Sequence, residues 1–122
     1  MTAEISVLVV EDEFLVRMDV ADQLRDEGYR VFEAKNADEA VRLLETEPSI
    51  RILFTDIDMP GSMDGLKLAA AVRDRWPPVK IVITSGHRQV DAADIPEGSV
   101  FYPKPYHHQA IVASFRQLLS EN

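Results

Sequence analysis

Short runs rich in valine and isoleucine alternate along this chain with longer stretches in which apolar residues recur every three or four positions. The first kind suits strands and the second amphipathic helices, and their alternation predicts repeated βα units with a parallel sheet rather than a sandwich or a bundle. Five such units fit. The expected strands are Ile5 to Val10, Tyr29 to Ala34, Arg51 to Thr55, Val79 to Thr84 and Ser99 to Pro103. The first and fourth are apolar almost throughout, as strands covered on both faces should be. The expected fold is therefore α/β, a five-stranded parallel sheet flanked by helices on both faces.

A first helix is expected from about Glu13 to Glu27, with Leu15, Met18, Ala21 and Leu24 as its buried stripe and Gly28 stopping it. In the second, Asn36 is the cap and Glu39 reaches back in a capping-box arrangement; Ala37, Ala40, Val41 and Leu44 face inward and Pro48 excludes continuation. The third runs from Gly65 to Trp76, capped by Asp64, with Leu66, Ala69, Val72 and Trp76 inward. The last, from about Tyr106 to Ser120, buries Ile111, Phe115, Leu118 and Leu119. Between His87 and Pro96 there is room for only a short fourth helix of low apolar content.

Charged residues follow the strands in a telling way. Glu11-Asp12-Glu13 follows the first strand, Asp56 the third and Lys104 the fifth. In an open parallel sheet the carboxyl ends of the strands share one crevice, so these charges belong to one site. Carboxylates gathered there repel unless protonated or bound to a hard divalent ion such as Mg²⁺. A blander reading treats the three acids as helix-start residues favoured by the macrodipole, Ser85 as a turn hydroxyl and Lys104 as a solvated surface charge.

The length of 122 residues suits one compact domain with no linker or repeat. Cysteine is absent, which excludes disulfides and thiol chemistry. A net charge of -8 disfavours nucleic acid and anionic membrane surfaces as partners, and no N-terminal apolar stretch resembles a signal peptide or membrane span. A cytoplasmic location is expected. Met1 and the polar ending Ser120-Glu121-Asn122 look like natural termini, giving a single domain over 1–122 with no output domain.

Taken in order, Val9-Val10-Glu11-Asp12-Glu13, Thr55-Asp56-Ile57-Asp58-Met59-Pro60 with Asp64-Gly65, Thr84-Ser85-Gly86 and Lys104-Pro105 resemble the receiver domain of bacterial two-component response regulators. The resemblance covers essentially the whole chain and implies a flavodoxin-like (βα)5 doubly wound fold. It makes Asp56 the acceptor of a phosphoryl group from a sensor histidine kinase or a histidine phosphotransfer protein. Glu11, Asp12, Asp56 and the backbone carbonyl of Asp58 would hold Mg²⁺. Lys104 would neutralise phosphoryl oxygens, and the Ser85 hydroxyl would hydrogen-bond one after transfer. Pro105 would follow a cis peptide, and Phe101 would be the aromatic whose rotamer follows Ser85. The implied protein is a stand-alone switch or phosphorelay intermediate that signals to a downstream protein target. It assists its own phosphorylation and dephosphorylation without being an enzyme in the ordinary sense.

Some positions depart from the family pattern. The loop from Met59 to Gly65 is one residue longer than the commonest version, Ser85 replaces the more usual threonine, and Phe101 lacks a phenolic hydroxyl. With a short fourth helix, these changes make the first helix a second candidate for partner contact beside the usual output face. His87, His107 and His108 read most simply as exposed polar residues, although His87, two positions after Ser85, could modulate water access to a phosphorylated Asp56. Two other readings share features of the chain. A small Mg²⁺-dependent haloacid dehalogenase-like phosphatase shares the Asp56-x-Asp58 spacing, but its acids would not precede Asp56. A flavodoxin-like FMN binder would need a phosphate-cradling loop where Glu11-Asp12-Glu13 stands.

Overall fold

A computed structural model describes residues 5–59, 63–86 and 92–120. Its elements alternate in the expected way: β1 (Ser6–Val10), α1 (Phe14–Asp26), β2 (Arg30–Ala34), α2 (Ala37–Thr46), β3 (Ile50–Asp56), α3 (Gly65–Arg75), β4 (Lys80–Ser85), a 3-10 turn (Ala92–Asp94), β5 (Val100–Pro103) and α4 (His108–Ser120). All strand pairings are parallel, in the order β2-β1-β3-β4-β5. The chain reverses its winding direction between β1 and β3, which opens a crevice at their carboxyl ends.

Because side chains alternate along each strand, the sheet divides the interior into two cores. Val7, Val9, Ile52, Phe54 and Val82 face α1 and α4, where they meet Ala21, Leu24, Ile111, Phe115 and Leu118. Leu8, Val10, Leu53, Ile81 and Ile83 face α2 and α3, where they meet Ala40, Leu44, Leu68, Ala69 and Val72. The rings of Tyr29 and Phe54 both pack edge-to-face on Phe115.

Local signals placed the helix boundaries. Gly28 takes a φ of 97° just beyond α1, a conformation that suits glycine. Asn36 accepts from the Glu39 amide at 2.9 Å, and the Glu39 carboxylate reaches back one residue further than a standard capping box, to the Lys35 amide at 2.9 Å. Asp64 caps α3 by accepting from the Lys67 amide.

Two expectations about the helices need correction. Ala21 and Leu24 of α1 are buried, but Leu15 and Met18 are 70% and 38% exposed, as is Phe14 at 60%. The reason is Arg17, which occupies the inward side with only 14% of its side chain exposed and is paired there with Glu33. A charged residue on the core side rotates the helix away from the axis that apolar spacing alone indicates. In α3, Leu68 is fully buried while Leu66 and Trp76 are only half-buried, and the Arg75 guanidinium lies 4.3 Å from the Trp76 ring centroid. The expected short fourth helix falls largely on residues 87–91, outside the described residues; the described remainder before Pro96 holds a 3-10 turn, and α4 starts at His108, close to the expected start. His87 and Pro60 lie outside the described residues.

Candidate functional site

Strand ends position the site. Asp56 is the last residue of β3 and Ser85 the last of β4, while Glu11 and Asp12 form the turn between β1 and α1. Lys104 follows β5, and its amide donates to the Ser85 carbonyl at 2.9 Å. The Lys104–Pro105 peptide is cis. Lys104 Nζ lies between two carboxylates, donating to Asp56 Oδ2 at 3.1 Å and to Glu11 Oε1 at 3.2 Å. These acids are almost fully buried, Glu11 at 6% and Asp56 at 7% exposure.

The acidic turn is not a helix cap. Glu13 stands at the N-cap position of α1 without a side-chain capping bond, and the first turn of that helix carries no acid. Instead the Glu13 amide donates to Glu11 Oε2. The turn is fixed from behind, because the Glu11 amide donates to the Ala34 carbonyl at 3.0 Å and Arg17 Nη1 donates to the Glu11 carbonyl at 2.9 Å. Arg17 Nε and Arg25 Nη2 both bind the Glu33 carboxylate, at 3.3 and 3.2 Å. This link between α1 and β2 was not anticipated from the sequence. Its only linear sign is a cation five residues after Asp12 on a helix otherwise apolar on that side.

The carboxylate oxygens of Glu11, Asp12 and Asp56 offer one atom each within 4.8 Å of one another. Three hard oxygen donors suit Mg²⁺ far better than a soft or imidazole-seeking metal. The crowding is visible in the charge states. Burial, the hydrogen bond with Asp12 and the charge of Asp56 push Glu11 up to about 7, against the opposing pull of the Glu13 amide and Lys104. Burial alone would lower Lys104, but the Asp56 and Glu11 carboxylates outweigh it and raise the ammonium above its ordinary value.

One consequence is a pH dependence of stability. Glu11 ionises near its ordinary 4.5 when unfolded and near 7 when folded, so the metal-free folded state holds a proton that the unfolded state releases between those values. That contribution is complete below pH 4.5 and is lost as pH rises through 7. Thermal melts in a chelator should show the wild type losing stability across this window relative to Glu11→Gln, and parallel curves would contradict the assignment.

Residue 58 contributes more than its backbone. The Asp58 amide donates to Asp56 Oδ1 at 3.3 Å, and the Asp58 carboxylate accepts from Ser85 Oγ at 2.9 Å. Phe101 is half-buried against the core on the α2 and α3 side. Its neighbour Tyr102 points the other way, where its hydroxyl bonds Ser114 and the Ala110 carbonyl of α4. The site thus brings together Glu11, Asp12, Asp56, Asp58, Ser85 and Lys104.

A match to the response regulator receiver domain family extends over residues 7–116. The chain belongs to this family. Among its relatives, this receiver domain is 32% identical to an NtrX-like response regulator of Rickettsia felis over 90% of its own length. It is 34% identical to the nitrogen assimilation regulatory protein NtrX of Azorhizobium caulinodans over 87% of its length. It spans 24% of each of those proteins. Among solved structures, the receiver domain of the hybrid histidine kinase CckA superposes with a TM-score of 0.79 at 32% identity, covering 94% of this chain and 99% of that one. A response regulator receiver protein from Sinorhizobium medicae gives 0.86 at 27% identity, with 95% and 94% covered. Family membership sets aside the haloacid dehalogenase-like and FMN readings. Among the described residues no helix is long and apolar enough to cross a membrane.

Proposed function

We propose that this receiver accepts a phosphoryl group on Asp56 from a phosphohistidine donor and passes the change to a protein partner, as a switch or phosphorelay intermediate. The observation that carries the proposal is the position of Asp56, at the end of β3 with Lys104 Nζ 3.1 Å from its Oδ2 and the Glu11 and Asp12 carboxylates close by. An oxygen of Asp56 bonds the phosphorus as the phosphorus–nitrogen bond to the donor imidazole breaks, and the imidazole leaves with the electron pair. Approach of two anions requires their charge to be neutralised at fixed positions. Lys104 provides one cation. Glu11, Asp12, Asp56 and the Asp58 carbonyl would hold Mg²⁺, which when bound supplies the remaining charge compensation. The protein acts on itself and so is a substrate of signalling rather than a turnover enzyme.

Intact-mass spectrometry tests this reading. Incubation with acetyl phosphate and Mg²⁺ should add one phosphoryl group, and chelation should prevent it. A wild-type protein that takes no adduct from acetyl phosphate or from a phosphorylated histidine donor would end the proposal.

The donor must reach Asp56 past α1. Phe14, Leu15 and Met18 are exposed just after the acidic turn, and on another side of α1 an open groove of about 590 Å³ is lined by Val16, Val20, Lys104, Tyr106, His108 and Ile111. An apolar strip beside the nucleophile fits a helix carrying the donor histidine. Leu15→Asp is expected to slow transfer from a kinase or phosphotransfer protein by about tenfold or more, as for a central interface anchor. Phosphorylation by acetyl phosphate should be unchanged, and an equal loss with both donors would place Leu15 in the chemistry instead.

A further inference from the structure

We propose that the Asp58 carboxylate is a latch that holds Ser85 away from Asp56 until the phosphoryl group arrives, an inference that rests on the phosphoacceptor reading of Asp56. Ser85 Oγ is 2% exposed as a residue and donates to Asp58 Oδ2 at 2.9 Å. A hydroxyl has one proton to donate. Ser85 therefore serves either Asp58 or a phosphoryl oxygen, and the change of partner is a switch between two states.

The geometry makes the latch responsive to the charge on Asp56. The Asp58 amide donates to Asp56 Oδ1 at 3.3 Å, which ties the latch residue to the nucleophile. Phosphorylation adds negative charge and new acceptor oxygens at Asp56. The new charge repels the Asp58 carboxylate while the new oxygens compete for the Ser85 proton, so both effects favour release. Before phosphorylation the charge-assisted bond favours the latched state, since a bond to an ionised acceptor is stronger than one between neutral groups. Mere spatial proximity of acids would not act this way; the switch needs the single proton of Ser85. Asp58 is a positioning residue, acting on the adduct through Ser85.

The test is a double-mutant cycle with beryllium fluoride, which adds to a carboxylate as a phosphoryl mimic. Wild type, Asp58→Ala, Ser85→Ala and the double variant are titrated with Mg²⁺ present, and bound fraction is read from amide resonances of Phe101 and Gly86. Asp58→Ala should bind the mimic about tenfold more tightly, because the bond that opposes release is gone. In the Ser85→Ala background the same change should alter affinity no more than about twofold, the residue of simple charge repulsion. Asp58→Asn, which retains an acceptor without the charge, should fall between wild type and Asp58→Ala. An Asp58→Ala effect of equal size in both backgrounds, or no effect in the wild type, would overturn the latch and leave the phosphoacceptor reading intact. Absence of any adduct on the wild type, with the variants equally silent, would overturn both.

Discussion

Asp56→Asn is expected to abolish the phosphoryl adduct while leaving the fold in place. The amide matches the carboxylate in shape but cannot attack phosphorus, so the loss should be complete rather than graded. Folding should survive because Lys104 keeps its bond to Glu11 Oε1 at 3.2 Å and Asn retains a carbonyl oxygen toward the ammonium. Neutralising one carboxylate also reduces repulsion with Glu11 and Asp12, whose oxygens lie within 4.8 Å of those of Asp56. Stability should therefore change by no more than about 1 kcal/mol, with a gain in chelator more natural than a loss. Intact mass after acetyl phosphate treatment, with a thermal melt beside it, gives both readouts. An adduct that persists would mean that Asp12, Asp58 or the Ser85 hydroxyl accepts the group, and the assignment of the nucleophile would be wrong.

Gly65→Ala is expected to damage both the fold and the site. A Cβ at this position would lie 2.0 Å from the Asp56 carbonyl oxygen, 2.7 Å from its carbonyl carbon and 2.8 Å from the Ile57 Cα. All three are backbone atoms, so no side chain can move aside. Either α3 shifts outward or the end of β3 moves, and the Gly65 amide's bond to the Ile57 carbonyl at 3.0 Å is strained in both cases. Overpacking of this kind costs about 1–3 kcal/mol, which for a domain of this size lowers the melting midpoint by roughly 5–15 °C. Displacing the residue that carries the nucleophile by even ~1 Å should slow phosphorylation about a hundredfold. Gly86→Ala is the control. Its added methyl would meet Lys104 Cβ and Cδ at 3.6 Å, an ordinary contact, so stability should be nearly unchanged. Equal melting curves for Gly65→Ala and the wild type would show that the close approach of α3 to β3 does not constrain the site.

The two variants probe different levels of the same construction. Asp56 was legible as a functional residue because it follows an apolar run and matches a known pattern, whereas the demand on Gly65 comes from a helix start pressed onto a strand end nine residues earlier. Asp64-Gly65 read along the chain is only a helix cap and its first residue, and the Asp64 cap is indeed formed. The reason for glycine lies in the neighbouring backbone.

Much of the architecture was determined by local sequence alone. Val and Ile runs specify strands because β-branched side chains suit a pleated surface buried on both sides, and Gly28, Asn36 and Asp64 set helix ends through bonds to amides a few residues away. The order of Glu11-Asp12, Asp56, Ser85 and Lys104 along the chain, each at a strand end, was enough to collect them into one crevice once the sheet was parallel. What only the tertiary structure decided depends on pairs distant in sequence. Arg17 meets Glu33 across 16 positions and turns α1 so that Leu15 and Met18 face outward. Ser85 gives its proton to Asp58 across 27 positions. Apolar periodicity assumes that a charged side chain faces water, and it fails where folding supplies a charge its partner. A linear pattern can place a hydroxyl at a site, but the choice of acceptor for its single proton is made by distances that exist only in the folded chain.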